Sequence, residues 1–369
     1  MLNKEQRKAV DCKDSLVLIN ASAGTGKTTT LVEAAKEHIN NHNPNTVVIT
    51  FTNAAADELK QKITQDCLFI GTIHRFAIKV IYELAAQYQF RVNFLNKDQI
   101  ESIVYRLLKD NDMELTNFEF RKYLFYLTNK KAFLEQYDNV PTYYEKVEQE
   151  YRKFKKKIQA FDYTDAPEYL VLKLEEHEWT TQYDGLFVDE AQDLSPDQYI
   201  ICSKMKAKKK FIIGDPRQSI YLFRGAAPEI FYQFKHDGYT YFTLPRNYRS
   251  YQEILDYAET GLIADRGKGG IIYDDVAAIM EHSPQILCRT NKEVNAIKEY
   301  YSKVSTVHKA KGLEYDNVIV VDFPLKTKED KNIRFVALTR ARNGLLVTNF
   351  SEIYQYVQVH PNFSETFFF

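Results

Sequence analysis

A chain of 369 residues with 44% hydrophobic and 27% charged residues is long enough for two or three domains, each with a core of its own. No apolar run approaches the ~18 residues of a membrane span, and the start at Met1-Leu2-Asn3-Lys4 lacks the apolar core of a secretion signal. A membrane role is therefore disfavoured and a cytoplasmic location is expected, while the net charge of −1 argues against a wholly basic nucleic-acid coat protein and leaves a local DNA groove open.

Short β-rich runs that end in polar or glycine-rich turns and lead into helical stretches form the pattern of parallel α/β units. Strands are predicted near Leu16–Asn20, Val47–Phe51, Leu68–Gly71, Leu186–Asp189 and Phe211–Gly214. A second series is predicted near Tyr239–Thr243, Ile286–Arg289, Val318–Asp322 and Leu345–Thr348. The fold class expected is α/β, with two parallel-sheet P-loop domains. Phe76–Tyr183 differs, with helical periodicity, many Lys/Glu pairs and almost no glycine, and reads as a helical insertion. The predicted division is 1–75 with 184–245 as the first sheet domain, 76–183 as the insertion and 246–369 as the second sheet domain.

Smaller features carry less. The basic run Arg152-Lys153-Phe154-Lys155-Lys156-Lys157 reads as a solvated helix face before it reads as a phosphate contact, and Arg266-Gly267-Lys268-Gly269-Gly270 as a flexible loop. Cys12, Cys67, Cys202 and Cys288 have no metal-ligand spacing and are expected to be reduced and structural. The 26 Tyr and 24 Phe supply stacking faces, most of them ordinary core.

Chemistry is concentrated at two strand ends. Ala21-Ser22-Ala23-Gly24-Thr25-Gly26-Lys27-Thr28 follows a predicted strand and opens a helix expected from Thr29, the context a phosphate-binding loop requires. Gly24 and Gly26 let backbone N–H groups approach phosphates, Lys27 would neutralise the β/γ-phosphates, and the Thr28 hydroxyl would ligate Mg²⁺. At the second, Leu186-Phe187-Val188-Asp189-Glu190 delivers two carboxylates at the carboxyl end of a buried strand, where open α/β sheets bind ligands. Asp189 is placed to hold the metal's water shell and Glu190 to orient and deprotonate an attacking water. Together the two elements point to nucleoside triphosphate hydrolysis.

Further motifs follow in the order of a known family. Asp189-Glu190-Ala191-Gln192-Asp193, Val48–Ala56, Gly71–Phe76, Ile213–Ala226, Asn247–Ser250, Thr306–Glu314 and Val336–Ala341 resemble the successive motifs of the UvrD/Rep branch of superfamily 1 helicases. The resemblance covers both sheet domains, implies that they are RecA-like, and lapses in the helical insertion. Ala21 stands at the first glycine position of the general loop motif, a departure this superfamily tolerates.

Carried over at matching positions, the resemblance implies that Gln6 reads the adenine edge, Tyr248 stacks on the base and Glu314 approaches the sugar. It implies that Gln218 senses the γ-phosphate and that Arg249 and Arg340 reach across the cleft as arginine fingers. Ala21, Ser22, Ala23, Gly24, Thr25, Gly26, Lys27, Thr28 and Thr29 complete the expected ATP site. Thr52, Asn53, Thr72, His74, Arg224 and His308 match DNA-facing positions, and Phe223 an aromatic that stacks on a base. The expected partner is single-stranded DNA, or DNA with a single-stranded tail, traversed 3′ to 5′.

Larger members carry an accessory 2B domain before motif V. Here the helix after Ile286-Leu287-Cys288-Arg289-Thr290-Asn291 runs to about Tyr301 and motif V begins at Ser305-Thr306, leaving no room for it; no nuclease signature follows motif VI. Translocation is expected of the chain alone, with a protein partner or self-association needed for efficient unwinding. The competing readings are a protein-clearing or nuclease-partner motor and, from another class, a non-catalytic DNA-binding scaffold. Intact Lys27, Thr28, Asp189, Glu190, Gln218, Arg249 and Arg340 count against the scaffold.

Overall fold

Continuous apolar runs make the central strands, because a parallel strand is covered on both faces and has no solvent side to write into its sequence. The computed structural model describes residues 2–41, 43–128, 130, 133–134, 139–222 and 225–361. In chain order the strands are β1 (Leu16–Ala21), β2 (Thr46–Thr50), β3 (Phe69–Thr72), β4 (Asn93–Phe94), β5 (Ala160–Phe161), β6 (Gln182–Val188), β7 (Lys206–Gly214) and β8 (Thr240–Leu244). They continue with β9 (Arg246–Asn247), β10 (Ile263–Ala264), β11 (Ile271–Ile272), β12 (Gln285–Cys288), β13 (Val304–Thr306), β14 (Tyr315–Val321) and β15 (Ala341–Thr348). Among the described residues β3-β2-β6-β7-β1-β8 form a six-stranded sheet and β11-β15-β14-β12-β13 a five-stranded one. Both sheets are parallel throughout, as expected of the α/β class.

Alternate residues of each strand feed different cores, the period-two rule of the pleat. Leu18, Val47, Ile49, Leu186, Val188 and Ile212 face one cluster of the first sheet, and Val17, Ile19, Val48, Phe187, Phe211 and Ile213 the other. The second sheet divides likewise, with Leu287, Val318 and Val320 on one side and Ile286, Cys288, Ile319 and Val321 on the other.

Several expectations are adjusted by the packing. The strand near Tyr239–Thr243, named with the second series but inside the 184–245 segment assigned to the first sheet domain, is β8, which pairs with β1 at the edge of the first sheet. Within 76–183, helices Ile73–Tyr88 and Asp165–Glu175 bury Phe76, Ala77, Val80, Ala166 and Leu170 in the first sheet's core. A separate aromatic core of Tyr123, Tyr126, Phe133, Tyr144 and Tyr151 belongs to the helices between them. The parallel pair β4–β5 lies against the first-sheet side, where Phe94 packs on its core. The basic run lies on helix Thr142–Lys157 but is not wholly solvated: Lys155 is buried, 2.6 Å from both Asp162 and Asp165.

The loop expected to be flexible at Arg266–Gly270 is held instead. Arg266 stacks on Tyr251 with 3.9 Å to the ring centroid and donates to the carbonyls of Arg249 and Arg342, while Glu253 accepts from the backbone of Gly269 and Gly270. On the other edge of the second sheet only residues 299–303 link helix Asn291–Lys298 to β13. No helix of the described residues is long and apolar enough to cross a membrane.

Candidate nucleotide site and nucleic-acid face

The strand order puts β6, β7 and β1 side by side, so the loops leaving their carboxyl ends meet. After β1 the chain turns through Gly24 (φ +72°) and Gly26 (φ +81°) into helix Lys27–Asn40, which starts two residues earlier than expected. The helix has no capping side chain, so its first N–H groups are left to an anion. A Cβ on Gly24 would lie 2.6 Å from Asn247 Nδ2, and one on Gly26 would lie 2.6 Å from Gln6 Nε2. Both glycines are required by a close approach as well as by positive φ.

β6 delivers Asp189, 4% exposed, whose Oδ2 accepts a hydrogen bond from the Thr28 hydroxyl at 3.0 Å. Burial and the neighbouring Glu190 push the Asp189 carboxyl up to about 7. Burial also opposes ionisation of Glu190, but Lys27 and Lys311 outweigh it and hold that carboxyl below its usual value. Glu190 occupies the left-handed region (φ 54°, ψ 43°), a costly conformation for a residue with a side chain, and accepts from Gln192 Nε2.

Buried Gln192 extends this contact into the loop after β7, because its Oε1 accepts from Asp215 N at 2.9 Å. Asp215 in turn accepts from Gln218 Nε2 at 2.6 Å. A Cβ on Gly214 would sit 2.5 Å from Gln192 Oε1, so glycine there makes room for the network.

The second sheet's side supplies the opposite wall. Asn247 Nδ2 donates to Ala23 O at 2.6 Å and Tyr248 N donates to Gly24 O at 2.8 Å. Arg249 Nε donates to Glu314 at 2.8 Å, and its Nη1 to Thr339 O at 3.1 Å. Arg340 is 1% exposed and donates to the carbonyls of Val336 and Leu313. Burial, with Arg249 beside it, lowers Arg340 to about 9, still cationic at neutral pH.

Between these walls lies a cavity of about 610 Å³. Of the expected residues, Gln6, Ala23, Gly24, Gly26, Lys27, Thr28, Thr29, Asp189, Glu190, Gln218, Tyr248, Arg249, Glu314 and Arg340 form its wall. Ala21, Ser22 and Thr25 lie behind it: Ala21 ends β1, Thr25 O accepts from Gln6 Nε2 at 3.0 Å, and the Ser22 hydroxyl is buried without a partner among the described residues. Gln6 is fixed twice, since its Oε1 also accepts from Asn3 N in a capping box.

Lys311 was missed by the sequence reading, although it lies within the Thr306–Glu314 motif. It crosses to Asp193 at 2.5 Å, with both side chains buried, and burial leaves the Asp193 carboxyl at about 6 despite this partner. Glu58 and Lys62 of helix Asn53–Lys62 also reach the cavity and pair with each other at 2.5 Å. A solvated i,i+4 pair gives no sequence signal of a site.

Four of the expected nucleic-acid residues, Thr52, Asn53, Thr72 and His74, stand at or just after the carboxyl ends of β2 and β3, while His308 follows β13 of the second sheet. Thr52 and Thr72 are the N-caps of helices Asn53–Lys62 and Ile73–Tyr88, which leave the neighbouring strands β2 and β3, so Asn53 and His74 stand in the first turns of adjacent helices. Phe51 stacks on Tyr221 at 4.9 Å, Tyr221 lies 6.2 Å from the His308 ring, and His308 Nε2 bonds Ile220 O at 3.2 Å. His74 stacks on Tyr163 at 4.3 Å and 12°, an aromatic partner not anticipated, and burial lowers His74 to about 4. Phe223 and Arg224 lie outside the described residues.

A phosphate loop on one parallel sheet, opposed by two arginines from the side of another, defines a two-domain P-loop protein. The chain belongs to the UvrD/REP helicase family: the model of the UvrD/REP helicase N-terminal domain matches residues 2–238. The model of the viral superfamily 1 RNA helicase core domain matches 152–349. The chain is 28% identical to DNA helicase II of Salmonella typhimurium over 296 residues, covering 73% of this chain and 41% of that protein. It is 25% identical to a probable DNA helicase of Mycoplasma pneumoniae over 452 aligned positions, covering 95% and 83%, and 24% identical to the ATP-dependent DNA helicase PcrA of Leuconostoc citreum over 422, covering 95% and 56%. The chain thus spans about two fifths of DNA helicase II and just over half of that PcrA. The last two alignments are longer than the 369-residue chain, so those relatives carry segments absent from it.

Proposed function

We propose that this chain is an ATP-dependent DNA translocase and helicase of the cytoplasm, moving 3′ to 5′ along single-stranded DNA or a single-stranded tail. The observation that carries the reading is the shared cavity, in which Lys27, Asp189 and Glu190 of the first sheet face Arg249 and Arg340 of the second. On this reading 1–75 with 184–245 and 246–369 act as the two motor domains.

Thr28 and Asp189 offer hard oxygen donors 3.0 Å apart beside the Glu190 carboxylate, a set that fits Mg²⁺. When bound, the ion would neutralise charge on the phosphate oxygens. Gln6 and Tyr248 select the adenine base, the Ala21–Thr29 segment and Lys27 cradle the phosphates, and Glu314 approaches the sugar. Glu190, held ionised, takes the proton of the attacking water, while Gln218, Arg249 and Arg340 stabilise charge on the transferring phosphoryl group. Because the nucleotide lies between two bodies, turnover opens and closes the cleft. Thr52, Asn53, Thr72, His74, Phe223, Arg224 and His308 hold the strand, with aromatic stacking serving any base sequence. With residues 299–303 the whole link before β13, a monomer translocates but unwinds duplex weakly unless a second copy or a partner assists.

The test is ATPase activity with single-stranded DNA, duplex DNA and single-stranded RNA side by side, then unwinding of 3′- and 5′-tailed duplexes. Stimulation by single-stranded DNA and a 3′-tail preference are expected. An ATPase indifferent to nucleic acid, or efficient unwinding by isolated monomers, overturns the reading in whole or in its last part.

A further inference from the structure

We infer that the short turn Pro216–Gln218 is a mechanical joint, in which Arg217 and Asn332 bind Gln218's own backbone segment to the helices of the second sheet, so that cleft movement and ATP turnover are coupled through it. The inference rests on the motor reading above and adds two positioning residues that lie outside the nucleotide cavity.

Neighbouring side chains on this turn face opposite ways. Gln218 lines the nucleotide cavity, whereas Arg217 lies in a different cavity of about 930 Å³ between the turn and the helices of the second sheet. The Arg217 guanidinium sits over Phe335 with 3.9 Å to the ring centroid, and its Nη1 donates to Glu259 O at 2.9 Å. Phe335 belongs to helix Lys328–Leu338, five residues before Arg340, which lines the nucleotide cavity. From the same helix buried Asn332 donates to Ser219 O at 2.9 Å and to Pro216 O at 3.3 Å, gripping the turn at both ends.

The turn is stiff, because Pro216 fixes one φ and Asp215 caps it by accepting from Arg217 N at 3.0 Å. A displacement of helix Lys328–Leu338 therefore moves the turn as a unit. Asp215 bonds Gln218 directly and reaches Glu190 through Gln192, so the grip acts on the γ-phosphate sensor and the water-activating carboxylate together. A double-mutant cycle between Arg217 and Phe335 measures the coupling directly.

The experiment uses the full chain as wild type, Arg217→Ala, Arg217→Lys, Phe335→Leu, Asn332→Asp and the Arg217→Ala/Phe335→Leu double variant. For each, kcat and KM for ATP are measured with and without single-stranded DNA, together with nucleotides travelled per ATP. Expected are a loss of about fivefold or more in the DNA-stimulation ratio and in travel per ATP for Arg217→Ala and Asn332→Asp, with KM for ATP changed by less than about twofold. Arg217→Lys should recover part of the loss, and the double variant should be no worse than Arg217→Ala alone. Equal losses with and without DNA, a rise confined to KM, or full additivity in the double variant overturns the joint. Arg217 is exposed, so its variants spare the core and decide the matter even where Asn332→Asp does not fold. A wild-type ATPase that ignores DNA overturns the motor reading and the joint with it; a stimulated wild type whose variants keep its ratio overturns the joint alone.

Discussion

Asn247 donates its side-chain amide to the carbonyl of Ala23 at 2.6 Å, tying the start of the second body to the phosphate-binding loop of the first. The same carboxamide accepts from Arg249 N and Ser250 N, each at 2.8 Å, so one buried side chain both grips the loop and shapes the turn that aims Arg249. Asn247→Ala strands three polar groups, two of them in buried hydrogen bonds, a loss of roughly 1–3 kcal/mol for each that finds no water. Chemical denaturation should show a destabilised protein, and calorimetry with a non-hydrolysable ATP analogue an affinity lowered about tenfold.

Removing the cavity's central charges should separate binding from turnover. Lys27→Ala should lower kcat/KM for ATP by about a hundredfold or more, since the buried cation proposed to face the phosphates is lost. Glu190→Gln should keep analogue binding within a few-fold while abolishing hydrolysis, because the amide cannot accept the water's proton. Steady-state kinetics beside equilibrium binding distinguishes the two; normal hydrolysis by either variant contradicts the roles assigned.

Gly26 and Gly238 test the loop's need for space against its need for positive φ. Both have left-handed backbones, φ +81° and +87°, yet a Cβ on Gly26 meets Gln6 Nε2 at 2.6 Å whereas one on Gly238 meets nothing within 4 Å. Each alanine variant should lose about 1–2 kcal/mol to backbone strain. Only Gly26→Ala should also raise KM for ATP, by displacing Gln6; equal kinetics in the two variants would show that the Gln6 contact has no role in binding.

His74 provides the pH dependence. Burial lowers it to about 4 in the folded protein, against 6.5 in the unfolded chain, so between these values the unfolded state binds the extra proton. Its contribution is fully present above pH 6.5 and is lost as pH falls toward 4, on the order of 1–2 kcal/mol for a side chain that keeps some solvent contact. Denaturation at pH 7, 6, 5 and 4 should show a shallower decline in His74→Gln than in the parent protein.

The sequence by itself determined the elements that are local in chemistry. The loop Ala21–Thr28 and the pair Asp189–Glu190 are legible because close approach to phosphate demands glycine, a cation and carboxylates at fixed strand ends, whatever the rest of the chain does. Motif order extended this to Arg249, Arg340 and Glu314, all of which line the same cavity. Tertiary structure alone decided the pairings between distant segments. β8 beside β1, Lys311 against Asp193, Tyr163 on His74 and Arg217 over Phe335 join residues tens to hundreds of positions apart, and none has a periodicity or spacing that announces its partner. The same limit applies to helices Ile73–Tyr88 and Asp165–Glu175: amphipathic spacing shows that a face is buried, but only packing selects the first sheet over the aromatic core of the insertion. Hydrophobic burial is non-directional, so the choice of partner belongs to the assembled chain.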